Sequence, residues 1–238
     1  MEHGFTYSHK QIIMPAIDLL STKPGQQAAE TKLHARSAQA SQNRVLFGWQ
    51  AWIPIIRIRL HIFLLALQQY HSLFTATSVL RTLFWYRLQI FGKRKHEKVV
   101  QYEHRFYRQV YAPGFPSELF DRFVISEFNR IQPVKAKTNR LNTIFFAITK
   151  KCPLRCEHCF EWNELNKQET LTYNDLEQII EKLLQVGTSK IVFSGGEPTV
   201  RFEDLLQLNR FIDGRAECWV YTSGYHLHRE KIRKLKEA

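Results

Sequence analysis

From residue 143 onward, short apolar runs alternate with stretches of helical period. Thr143-Ile144-Phe145-Phe146-Ala147-Ile148-Thr149 is β-branched and aromatic on both faces, which predicts a buried parallel strand rather than an amphipathic one. Lys190-Ile191-Val192-Phe193 and Cys218-Trp219-Val220-Tyr221 have the same character. Between them, Leu176, Ile179, Ile180, Leu183 and Leu184 recur at helical spacing behind Thr172 and Asp175, a pair suited to a helix N-terminus, until Gly187 stops the run. A second helix is expected near Glu203 to Ile212, ending at Gly214, and a third from about His228. The order strand, helix, strand, helix, strand, helix predicts an α/β module with right-handed parallel crossovers and its site at the C-terminal ends of the strands.

Upstream the pattern changes. Val100, Tyr102, Phe106, Val110 and Tyr111 predict strand, Pro113-Gly114-Phe115-Pro116 a turn, and Ser117 the cap of a helix carrying Leu119, Phe120, Phe123, Val124, Phe128 and Ile131, which Pro133 ends. Leu60 to Leu80 contains no Asp, Glu, Lys or Arg and is long enough to span a bilayer. Gln68, Gln69 and His71 fall near its middle, where polar groups are costly, so a packed or interfacial helix is expected instead. Residues 1–43 are polar and rich in Gln, Ala and Ser around Lys23-Pro24-Gly25-Gln26-Gln27, a composition expected to be disordered. Four parts follow: a disordered segment 1–43, a basic apolar helical region 44–98, a lead-in strand and helix 99–142, and an α/β domain 143–238.

Charge sharpens this division. Residues 1–142 hold 20 Lys and Arg against 8 Asp and Glu, and residues 143–238 hold 14 against 14, so the whole excess of +12 lies upstream. Arg57, Arg59, Arg81, Arg87 and Lys93-Arg94-Lys95 would let the helical region lie on an anionic membrane or another acidic partner. Aromatic and basic residues also mix in nucleic-acid binders, but here the apolar positions follow core periodicity and no nucleic-acid-binding motif is present. The N-terminus has no basic leader, and Pro15 and Asp18 interrupt Ile12 to Leu20. With no disulfide framework, the expected compartment is reducing cytoplasm.

Three of the four cysteines lie in Cys152-Pro153-Leu154-Arg155-Cys156-Glu157-His158-Cys159, a C-x3-C-x2-C loop directly after the first strand of the module. Three soft thiolates so placed form a candidate metal site, and three protein ligands leave a position open for chemistry, whereas a closed structural site needs four. A zinc knuckle completed by His158 or His104 is the alternative. Cys218, alone in an apolar strand, is expected to be a small buried hydrophobe and not a ligand. After the second strand comes Ser194-Gly195-Gly196-Glu197-Pro198, and after the third Thr222-Ser223-Gly224.

The cysteine loop and the Gly-Gly-Glu-Pro segment, in this order and each behind a strand, resemble the radical S-adenosylmethionine (radical SAM) superfamily. The resemblance implies a parallel βα barrel, a TIM-barrel-like fold, of which this chain holds three units. It implies that Cys152, Cys156 and Cys159 hold three irons of a 4Fe-4S cluster, with S-adenosylmethionine on the fourth. Ser194, Gly195, Gly196, Glu197 and Pro198 would bind that cofactor. The lack of Cβ at the two glycines would admit backbone carbonyls to its ammonium group, and Glu197 would supply either local charge or strand-to-helix order. His158 stands where relatives often place an aromatic residue near the adenine, and it is equally readable as an ordinary loop histidine. Ser223 replaces the Asn of the commoner Thr-Asn-Gly.

The activity implied is reductive cleavage of S-adenosylmethionine to a 5'-deoxyadenosyl radical that abstracts hydrogen from a substrate, in peptide or cofactor maturation, with an electron donor such as a flavodoxin or ferredoxin. Phe160 and Trp162 would cover the cluster; Lys150, Lys151 and Arg155 would form a solvated face or tune its potential. Relatives carry further βα units, and the final helix of this chain has no glycine cap, so the sequence also reads as a truncated, inactive remnant. A non-enzymatic zinc or iron-sulfur binding module is the third reading.

Overall fold

The computed structural model describes residues 43–91, 98–134 and 141–238. The segment expected to be disordered, all but its last residue, and the run Lys93-Arg94-Lys95 lie outside the described residues. Residues 42–238 form one compact unit.

The α/β half follows its hydrophobic pattern. Strand β4 (Thr143–Ala147) pairs in parallel with β5 (Lys190–Ser194), and β5 with β6 (Glu217–Val220), in the order β4-β5-β6. Helices α4 (Tyr173–Gln185), α5 (Phe202–Ile212) and α6 (Arg229–Glu237) follow the strands in turn, with a 3-10 turn at Pro198–Arg201 leading into α5. Thr172 and Asp175 close a capping box at the start of α4, each side chain meeting the other's backbone N–H. At its end Gly187 takes φ 87°, and α5 ends on Asp213 and Gly214 at φ 44° and 69°. Alternate residues of the strands face the helices: Phe146, Ile148, Ile191, Phe193, Cys218 and Val220 pack with Leu176, Ile180, Leu205 and Leu208 in one core. The result is an α/β fold on an open parallel sheet of three strands.

Two expectations are corrected here. The strand after residue 143 is not buried on both faces, because Phe145 on its other face is 48% exposed, edge-on to Tyr111 and Tyr221. Leu60 to Leu80 is not one helix either. Helix α1 (Trp49–Tyr70) ends where His71 enters the left-handed region at φ 51°, its N–H returning to the Leu67 carbonyl, and α2 (Leu73–Phe91) starts just beyond. Among the described residues one helix is long and apolar enough to cross a membrane, Trp49–Tyr70, with mean hydropathy 1.4 in its best window. Arg57 and Arg59 sit in its middle, where a bilayer core would penalise them.

The upstream half has its own sheet and core. Strand β1 (Arg44–Leu46) pairs antiparallel with β2 (Val99–Tyr102), and β2 with β3 (Arg105–Tyr107). The strand expected to reach Tyr111 stops at Tyr107, and Phe106 instead bridges to Phe115 across the Pro113-Gly114 turn. Ser117 caps α3 (Glu118–Ile131) by accepting the Phe120 N–H. Buried Ile58, Ala66, Ala76, Val79, Phe120, Val124 and Phe128 then join α1, α2 and α3 in a second core.

The two halves meet beneath the parallel sheet, at the N-terminal ends of its strands. Lys190 is fully buried there, with its ammonium 3.1 Å from Glu217 Oε1 and 3.6 Å from the centre of the Trp219 ring. Glu217 also accepts from the Trp219 indole N–H at 2.7 Å and from the Gly114 N–H at 3.0 Å, so the turn before α3 is pinned to β6. Burial lowers the Lys190 pKa to about 8 against the opposing pull of Glu217. This buried pair belongs to the fold rather than to chemistry, since this end of a parallel βα unit faces away from the loops that follow the strands.

Candidate functional site

All the motif residues lie past the C-terminal ends of β4, β5 and β6. The ladder between β4 and β5 does not stop with the strands: Ile148 N–H donates to the Ser194 carbonyl at 3.0 Å, Gly196 N–H to Thr149 at 2.8 Å and Glu197 N–H to Lys151 at 2.8 Å. The Gly-Gly-Glu-Pro segment is thereby laid against the first residues of the cysteine loop. A Cβ at Gly195, which sits at φ 134°, would overlap the Thr149 carbonyl. One at Gly196 would overlap the Lys151 carbonyl and come within 3.0 Å of Cys152 Cβ. The close approach that these glycines permit is therefore first of all between two loops of the chain.

Glu197 is 1% exposed, and among the described residues it makes no ion pair. Its Oε1 accepts from the Thr199 N–H at 3.1 Å and hydroxyl at 2.5 Å and from the Thr222 hydroxyl at 2.6 Å. Oε2 accepts from the Ser223 N–H at 2.8 Å and hydroxyl at 2.6 Å. Burial alone would raise this carboxyl's pKa, but donors from Ser223, Thr199 and Thr222 outweigh it and the net shift is downward. The carboxylate thus knots the loops after β5 and β6 together. Pro198 is buried at the first position of the 3-10 turn, and Ser194 is half-buried at the end of β5.

The cysteine loop is held from below by two side chains that the sequence pattern did not single out. Asn166, at φ 61°, accepts from the Cys152 N–H at 3.0 Å and donates to the Cys152 carbonyl at 3.0 Å, while its own N–H reaches the Lys150 carbonyl at 2.8 Å. Glu169 accepts from the Thr149 hydroxyl and from the Lys150 N–H at 3.0 Å. Arg201 ties the same region to the next loop, donating to the Ile148 and Leu171 carbonyls at 2.9 and 3.0 Å. Asn tolerates the left-handed region better than most residues, but its distance of fourteen positions from Cys152 leaves no sequence signal for the pairing.

Within this frame Cys152 and Cys159 are half-buried, Cys156 is exposed, and all three thiols are free. The Cys159 N–H turns back to the Cys156 carbonyl at 3.2 Å. Among the described residues no three His, Cys, Asp or Glu side chains stand together as a metal group. The donor set still fits a soft metal cluster: three unpaired thiols, none hydrogen-bonded elsewhere, on one loop with access to solvent. Phe160 is 93% exposed and His158 is exposed beside it. Lys151 donates its ammonium to the Asn166 carbonyl at 3.3 Å, and Lys150 faces Glu164 at 4.0 Å, so both serve the loop itself. Cys218 is partly buried in the core behind β6 with its pKa pushed up to about 12 by burial, far from thiolate character.

The segment that carries these loops is similar to known proteins. Residues 146–238 match the family model of the radical SAM superfamily. The chain is 31% identical over 104 residues to the GTP 3',8-cyclase of Aquifex aeolicus, 32% over 100 residues to the PqqA peptide cyclase of Bradyrhizobium diazoefficiens, and 31% over 96 residues to the Fe-coproporphyrin III synthase of Methanosarcina barkeri. These matches take in 41%, 40% and 40% of this chain and 32%, 25% and 24% of the three relatives, so the shared segment spans a third or less of each of them. No solved structure matches.

Proposed function

Residues 146–238 belong to the radical SAM superfamily, and from that membership we propose that the chain is a radical SAM iron-sulfur enzyme whose three βα units form part of a parallel barrel. Cys152, Cys156 and Cys159 hold three irons of a 4Fe-4S cluster. Ser194, Gly195, Gly196, Glu197, Pro198, Ser223 and His158 form the S-adenosylmethionine site. When bound, the cluster supplies the electron that cleaves S-adenosylmethionine to a 5'-deoxyadenosyl radical able to abstract hydrogen, and a flavodoxin or ferredoxin supplies that electron in turn. The chain's own task is to seat and shield the cofactor.

The observation that carries this reading is the backbone ladder that joins the two motifs, Gly196 to Thr149 and Glu197 to Lys151, each at 2.8 Å. It makes one platform of a cysteine loop and a glycine loop, with Glu197 joining the loop after β6 to it. The relatives' names refer to GTP, a PqqA peptide and Fe-coproporphyrin III, and peptide or cofactor maturation is the substrate class we assign. The compartment is cytoplasmic. A peripheral contact with an anionic membrane is favoured by one further observation, the exposed stripe Trp49, Trp52, Ile53, Ile56, Leu60 and Leu64 along α1.

Anaerobic reconstitution of the chain with iron and sulfide tests the assignment. The expected product has the absorption and electron paramagnetic resonance of a 4Fe-4S cluster, perturbed by S-adenosylmethionine. Alanine at Cys152, Cys156 or Cys159 abolishes that signal and Cys218→Ala keeps it; a signal that depends on Cys218 and survives loss of one loop cysteine refutes the ligand set.

A further inference from the structure

We propose that the cavity between α1, α2, α3 and the start of β4 is a binding site for an organic anion with a carboxylate or phosphate head on an apolar body. The cavity has a volume of about 920 Å³, within the range of small-molecule sites. Its walls are mainly apolar, with Trp52, Ile56, Leu83, Phe84, Phe123 and Phe145 among them. Four arginines line it; Arg130 is paired with Glu127, and the other three come from three separate segments: Arg59, exposed, from α1, and the half-buried Arg87 from α2 and Arg108 from the chain just after β3.

Nothing among the described residues neutralises these cations. None of the three has a hydrogen bond or ion pair there, and the Nε of Arg108 is buried without a partner. The lining contains one carboxylate, Glu127, which is already taken by Arg130 at 3.0 Å and by the amide of Asn142. The arginines disturb one another as well. Burial, then Arg87 and Arg59, pull the pKa of Arg108 down to about 10, and burial and Arg59 lower that of Arg87.

Like charges held together in apolar surroundings destabilise a folded chain unless a counter-charge relieves them. Guanidinium forks match the oxygens of carboxylate and phosphate, and in a partly dry site such bonds are strong. The apolar walls then require that the anion carry a chain or ring, because a bare inorganic ion would leave them wet. The cavity meets the start of β4 at Thr143 and Phe145, with Asn142 just before the strand, whereas the cysteine loop leaves the other end of that strand. The site is thus independent of the iron-sulfur reading. The same chemistry could come from a free amphiphile or from a lipid headgroup.

Calorimetry and thermal denaturation of the full chain decide the matter, with decyl phosphate and decanoate below their micelle concentrations, decanol, inorganic phosphate, and vesicles of phosphatidylglycerol or phosphatidylcholine as probes. The expected result is binding of a decyl anion about tenfold or more tighter than decanol or inorganic phosphate, reduced about tenfold in Arg108→Gln. Arg87→Gln should also weaken binding while raising the melting temperature of the free protein, since it relieves repulsion; a variant more stable than its parent is folded. Binding of soluble decyl anions identifies a free ligand. Retention on phosphatidylglycerol vesicles alone, lost in Arg108→Gln, identifies a lipid headgroup. Equal affinity for decanol and decyl phosphate, unchanged binding in both arginine variants, or failure of every anionic probe overturns the proposal.

Discussion

Ser223 gives both its backbone N–H and its hydroxyl to one oxygen of Glu197, at 2.8 and 2.6 Å. The serine that replaces the commoner asparagine is therefore a full partner in the knot between the loops after β5 and β6.

Glu197→Gln should destabilise the protein at pH 7 by about 2 kcal/mol, because an amide NH2 would face hydroxyl and N–H donors in a buried pocket. The folded carboxyl has a lowered pKa, so the unfolded chain binds the proton first as pH falls. The stability it contributes is complete above the ordinary carboxyl value of about 4 and is lost as pH drops from there through its lowered folded value. Denaturant melts at pH 7, 5 and 3.5 should show the gap between parent and variant narrowing with acidity; a gap constant across that range would refute a buried carboxylate.

Gly196→Ala should lose cluster assembly together with stability, because its Cβ would push the Lys151 carbonyl and Cys152 away. The expected cost is about 1–3 kcal/mol. Gly224→Ala is the control: it has open space around it and meets only the penalty of φ 83°, about 1 kcal/mol. Iron content after reconstitution, measured beside the melting temperature, should fall in the first variant and hold in the second.

Lys190→Met should cost about 3 kcal/mol by leaving Glu217 buried without its cation. Adding Glu217→Gln should restore part of the loss, and a double-mutant cycle from urea denaturation reads the coupling. Additive effects would show that the pair does not interact.

The parallel module was legible in the sequence because local rules and long-range packing agree there. Thr172 and Asp175 cap a helix whether or not the sheet is present, and the apolar residues of α4 and α5 have one face to bury. Leu60 to Leu80 was not legible as two helices, since His71 and Ser72 carry no strong breaking signal, and the burial of Ala66 and Ala76 in one core on either side of the turn exists only in the folded chain. Phe145 misled for a related reason: an aromatic in an apolar run gives no sign of which strand face the neighbouring elements cover. At the site, the cysteines and glycines announced themselves by spacing, while Asn166, Glu169 and Arg201 act through contacts that only the folded chain creates. In the sequence Lys190 is simply the first residue of a strand; its burial becomes intelligible only with Glu217 and Trp219 beside it.

The paired hydrogen bonds between Asn166 and the backbone of Cys152, beside those of Asn166 with Lys150 and Lys151, make the segment between them a noose closed at its neck. Cys152 lies in the knot, whereas Cys156 and Cys159 ride in the slack. Reshaping such a closed loop leaves its end-to-end entropy unchanged, because the ends already meet. Were the three thiols to gather around a metal, Cys156 and Cys159 would have to close on a Cys152 already fixed to the sheet, a one-sided closure upon a stationary jaw.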